Sequence, residues 1–133
     1  MVSTISFIQA NLQHSIADSG FLTRTVGNKG IDMALVQEQW YCEDCIRGLN
    51  IPGYILYSAG RKKRPRACIL AWNMNAWGLP GFSCREFVAN LINYIVDGEE
   101  RRLVVCSAYL PYDPEDPPPL AKGVGGTRVI LRK

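Results

Sequence analysis

The sequence predicts an α/β fold on three observations. Its first 38 residues read as strand, helix, strand. The stretch Ile31 to Glu38 is mostly apolar and partly β-branched, too short for an ordinary buried helix, and reads as a strand covered on both faces that ends in a carboxylate. Further apolar runs at 54–57, 67–72, 87–96 and 102–109 are separated by turn residues, as strands are.

Ile5 to Asn11 alternates imperfectly and forms the first strand, with Asn11 at its exit. Ser15 followed by Asp18 is a capping signature. Ile16, Ala17, Phe21, Leu22 and Val26 then give a ragged apolar face that ends at Gly27 and Gly30, a crossover helix with Gly20 as its weak point. A strand, a crossover helix and a second strand place two parallel strands side by side, so Asn11 and Glu38 are expected at the same edge of the sheet. A carboxylate where a buried strand emerges is rigidly held yet open to solvent, a position where α/β folds put ligating and catalytic groups.

After Trp40 the chain reads as a loop punctuated by Gly48 and Pro52-Gly53. Tyr54–Tyr57 and Ala67–Trp72 are expected to pair antiparallel across a basic connection, and residues 73–81 are turn-rich. Phe87–Val96 and Arg102–Tyr109 are two more strands flanking the turn Asp97-Gly98-Glu99-Glu100. The prolines of residues 113–119 can continue neither a ladder nor a helix. Residues 120–133, with three glycines and the single apolar run Val129-Ile130-Leu131, are expected to be a weakly ordered tail to a domain spanning 1–119.

With 133 residues, 47% hydrophobic and 20% charged, the composition suits one globular domain. No apolar run approaches the ~20 residues of a membrane span, and Met1 to Thr4 carries no basic secretion-signal region. The protein is therefore expected to be intracellular. Five cysteines, an odd number, argue for reduced thiols without a disulfide partner. Cys42-Glu43-Asp44-Cys45 has the spacing of half a zinc site, but no second pair completes four ligands, which disfavours a cysteine-dependent metal or redox protein.

The net charge of +3 is unevenly spread: Arg61, Lys62, Lys63, Arg64 and Arg66 put five cations in six residues. Such a run suits sequence-blind phosphate contacts and equally suits a solvated hairpin tip. With Trp40, Tyr57 and Trp72 as stacking surfaces it would make a nucleic-acid-binding module.

Four motifs in order, Gln9-Ala10-Asn11-Leu12-Gln13-His14-Ser15, Leu35-Val36-Gln37-Glu38, Arg66-Ala67-Cys68-Ile69-Leu70 and Ser107-Ala108-Tyr109-Leu110-Pro111-Tyr112-Asp113, resemble the endonuclease domain of insect non-LTR retrotransposons. That domain belongs to the endonuclease/exonuclease/phosphatase superfamily. The resemblance covers residues 4 to about 119 and implies a two-sheet α/β sandwich and magnesium-dependent hydrolysis of a DNA phosphodiester. It implies Asn11 and Glu38 as metal-binding residues and Tyr109 as a third catalytic residue, donating to a phosphate oxygen. DNA as partner implies nuclear residence. Gln13 and Gln39 depart from the family pattern at tolerable positions. More serious is what is missing: none of the six aspartates has Asn two positions on, and the single histidine, His14, stands too early to serve in the family's terminal Ser-Asp-His motif. The expectation is therefore an incomplete sandwich, the amino-terminal half of such a domain, carrying the Mg²⁺-binding half of the site with weak or no metal binding and no catalysis. Its exposed sheet edge would invite a completing chain or aggregation.

Overall fold

The computed structural model describes residues 5–59, 64–72 and 76–110, together with the backbone of a strand at 127–132. Strand β1 (Phe7–Asn11) leads to helix α1 (Ile16–Lys29) and then to β2 (Met33–Gln37). The helix starts where Ser15 accepts a hydrogen bond from the Asp18 amide at 3.1 Å. It ends at Gly30, whose φ of 61° lets its own N–H turn back to Val26. Ser19, Leu22 and Val26 form its buried stripe.

β1 and β2 pair in parallel, with Asn11 opposite Gln37. On the other side of β2, strand β6 (Ala67–Trp72) pairs antiparallel, with Gln37 opposite Ala67, and β5 (Tyr54–Ser58) pairs antiparallel with β6. The first sheet therefore runs β1-β2-β6-β5. The second runs β10-β9-β8-β7, from β7 (Ala76–Gly78), β8 (Phe87–Val96), β9 (Glu99–Ala108) and β10 (Thr127–Arg132).

All five residues of β2 are buried, because the strand is covered on both sides. Ala34 and Val36 face Leu22 and Val26 of the helix. Met33 and Leu35, pointing the other way, join Ala67, Ile69 and Ala71 against Val88, Ile92, Leu103 and Val105 of the second sheet. The result is helix on sheet on sheet, an α/β sandwich as expected. At the end of the sandwich where β1 and β2 begin, the Asp32 carboxylate accepts from both the amide and the hydroxyl of Ser6, and Ser6 Oγ accepts from the Asp32 amide. That reciprocal clamp fixes how far the two strands are staggered.

Four short elements escape the sequence reading. The segment after Trp40 contains a hairpin, β3 (Tyr41–Cys42) with β4 (Cys45–Ile46), and the turn-rich segment contains β7 and a 3₁₀ turn at Pro80–Phe82. Two- and three-residue strands are too short to show a period. The Val129–Leu131 run lies in β10, which pairs antiparallel with β9. Residues 60–63, 73–75, 111–126 and Lys133 lie outside the described residues, and with them Arg61, Lys62, Lys63, the proline-rich loop and most of the expected tail. Among the described residues no helix is long and apolar enough to cross a membrane.

Candidate active site

Glu38 follows the last residue of β2, and its backbone is left-handed, with φ 48°. Such a conformation is strained for a residue other than glycine and persists only where surroundings impose it. Here they do. The Glu38 amide donates to the Arg66 carbonyl at 2.9 Å, and the Glu38 carbonyl accepts from the His14 amide at 2.7 Å. The turn after β1 and the entry to β6 therefore hold Glu38 from both sides.

Asn11 closes β1 on the neighbouring strand. Its Oδ1 accepts from the Gln13 amide at 2.9 Å, shaping a turn in which Gln13 and His14 both have positive φ. Tyr109 follows β9 and is anchored through its amide to the Glu86 carbonyl at 2.7 Å. The Glu38 carboxylate lies close enough to raise the pKa of the Tyr109 hydroxyl, and the Arg66 guanidinium lies over the tyrosine ring, 4.9 Å from the centroid. Partial burial, then the nearby Glu38 carboxylate and, more weakly, Glu86 push the phenol above its usual range, against an opposing pull from Arg66. The geometry thus brings Asn11, Glu38 and Tyr109, three residues distant in sequence, to one rim.

Beside them runs a chain of polar side chains that starts at the exposed Gln9 and passes into the core. Gln9 Nε2 donates to Gln37 Oε1 at 2.6 Å, Gln37 Nε2 donates to Ser107 Oγ at 2.8 Å, and Ser107 Oγ donates to the Val36 carbonyl at 2.8 Å. Gln37 and Ser107 are fully buried. Each of the three strands that deliver a site residue thus contributes to one network immediately below it. Sequence reasoning missed it, although an amide inside a strand covered on both faces is itself the signal that a buried partner is required.

Of the basic run, Arg64 and Arg66 are described. Arg64 is exposed, places Nη2 2.9 Å from His14 Nδ1, and lies 5.6 Å from the Tyr41 ring centroid. His14 Nδ1 is also 3.2 Å from the Gln39 carbonyl. A third cation, unremarked in the sequence, joins them: Arg85 Nε donates to the Arg64 carbonyl at 2.8 Å, and the Arg85 carbonyl accepts from the Arg66 amide at 2.7 Å.

Among the described residues no three His, Cys, Asp or Glu side chains gather into a metal cluster. Among the described residues, the Glu38 carboxylate and the Asn11 amide oxygen are the candidate ligands at the ends of β2 and β1, and Glu86 is a further carboxylate near Tyr109. Magnesium commonly takes one or two carboxylates and keeps waters and substrate phosphate for the rest, so this donor set fits it, as a weak site.

The chain is thus a two-layered sheet sandwich backed by a helix, with an acid, an amide and a phenol at one rim. The structure matches the endonuclease domain of TRAS1, a telomere-specific non-LTR retrotransposon, with a TM-score of 0.62 at 18% identity. The match covers 86% of this chain and 47% of that one, so the chain spans about half the length of the structure it resembles. At this identity the likeness is one of fold. No protein-family model matches the sequence, and no curated protein matches it.

Proposed function

We propose that this chain is the metal-binding half of a magnesium-dependent DNA endonuclease domain of retrotransposon origin, and that on its own it does not cleave DNA. The observation that carries the reading is the convergence of Asn11, Glu38 and Tyr109 on one rim, beneath which Gln37 and Ser107 tie the strands together. Glu38 and Asn11 would hold Mg²⁺, which when bound supplies charge stabilisation for a phosphodiester. Tyr109 would donate to a non-bridging phosphate oxygen. Arg64 and Arg66 would hold the DNA backbone beside them.

Among the described residues, no base beyond Glu38 stands at the rim in a place assigned to activating water. The chain contains neither an Asp-x-Asn nor a Ser-Asp-His sequence, and its one histidine is engaged with Arg64 and Gln39. Loss of a positioned base alone removes typically ~10²–10⁴ in rate. The domain would then need a completing chain, with β1, an edge strand of the first sheet among the described residues, as a place to receive it. DNA as substrate carries nuclear residence with it.

The second reading, a non-catalytic nucleic-acid-binding module, is favoured by the three arginines Arg64, Arg66 and Arg85 meeting at that rim. One experiment separates the two. Titrating the chain with Mn²⁺ as a paramagnetic stand-in for Mg²⁺ should broaden the backbone resonances of Asn11 and Glu38 selectively, and Glu38→Gln should remove the effect. Nicking of supercoiled plasmid with Mg²⁺ should be absent from both proteins. Nicking that Glu38→Ala abolishes would overturn the proposed inactivity. Absent Mn²⁺ broadening, with DNA binding retained, would leave the binding module.

A further inference from the structure

The hairpin of β3 and β4 has a two-residue turn, Glu43-Asp44, with φ of 52° and 60°. Two consecutive left-handed residues make the tight turn whose twist suits a hairpin. Its consequence is that Cys42 and Cys45 stand directly opposite each other across the ladder. Opposed residues of an antiparallel pair project to the same face, with Cα atoms ~4.5–5.5 Å apart. A disulfide requires ~4.4–6.8 Å.

Both thiols are exposed and free. Cys84 is also exposed, but it belongs to a separate bridge with Phe87. Cys68 and Cys106 are buried. Neither stabilising burial nor, among the described residues, a metal cluster accounts for two thiols here.

We infer that Cys42 and Cys45 form a dithiol site that exchanges with low-molecular-weight disulfides such as glutathione disulfide. One thiolate attacks a sulfur of the oxidant, forming a mixed disulfide and expelling one glutathione thiolate. The second thiolate attacks the protein sulfur of that bond, closing Cys42–Cys45 and expelling the second glutathione. Two electrons pass from the protein to the oxidant, and the two protons released on thiol ionisation are taken up by the departing glutathiones. The tight turn leaves little freedom for the bridge to relax, so the closed form is readily reduced. Burial pushes the thiols of Cys68 and Cys106 up, which keeps them out of the exchange.

The test is to equilibrate the full chain with graded mixtures of reduced and oxidised glutathione, and to map the products by mass spectrometry. The expected result is the loss of two hydrogens, mapped to a Cys42–Cys45 link, reversed by dithiothreitol and unaffected by Cys84→Ser. Cys42→Ser and Cys45→Ser should each stop at a stable glutathione adduct on the remaining thiol, which the exposed hairpin tolerates. Stable mixed disulfides on both cysteines of the unaltered chain, or a link from either to Cys84, would overturn the inference.

Discussion

The side chains of Gln37 and Ser107, 70 residues apart in sequence, meet at 2.8 Å between the two sheets. The bond joins β2, which carries Glu38, to β9, which carries Tyr109. Ser107→Ala leaves a buried amide donor without its partner, which costs about 1–3 kcal/mol. Urea denaturation should show that loss. The double variant with Gln37→Leu should lose less than the sum of the two single changes, because they remove the same bond.

Tyr109 has a pKa raised by burial first and by Glu38 second. In the folded chain the phenol therefore holds its proton more tightly than in the unfolded chain. Its contribution to stability is complete below the ordinary phenol range, near pH 10, and is lost as pH rises through the folded value. Glu38→Gln removes the carboxylate's repulsion, so Tyr109 should ionise at lower pH in that variant. Ultraviolet difference titration of the two proteins, with Tyr109→Phe to assign the transition, measures the shift.

Arg64 and Arg66 bracket the rim, one over Tyr41 and one over Tyr109. If each neutralises a DNA phosphate, replacing either by Ala should lower affinity for duplexes of any sequence and reduce the salt slope by about 1. Fluorescence anisotropy across a salt series gives both quantities. An unchanged slope would place these arginines outside the DNA contact.

Asn90 lies in the core with neither atom of its amide partnered. It also borders a pocket of about 360 Å³ lined in part by Tyr57, Gly78 and Val88, which leaves room beside it. Replacing an unsatisfied buried amide by an apolar group removes a penalty of about 1–3 kcal/mol. Asn90→Val, suited to a strand, should therefore raise the midpoint of urea unfolding.

Much of this arrangement is legible in the residues themselves. Ser15 and Asp18 mark the helix start, the unbroken apolar run of β2 reveals cover on both faces, and the parallel pairing that follows puts Asn11 beside the end of β2. What escapes is of two kinds. The Cys42–Cys45 hairpin and β7 are too short to impose a pattern, and the turn that makes the hairpin uses Glu and Asp in a conformation usually given to Asn or Gly. The other kind is long-range. Nothing local announces that Arg66 will cover Tyr109, that Arg85 will brace Arg64, or that Ser107 will answer Gln37, because each depends on how two sheets come together.

The Glu38 carboxylate raises the pKa of the Tyr109 phenol beside it, so the two groups are electrostatically coupled. A cation that settles on the carboxylate offsets its charge, so capture of the ion and ionisation of the phenol are thermodynamically linked. The tyrosine is thereby a native gauge of occupancy, the pH at which its absorbance changes registering whether the acid beside it is bare or holds a guest.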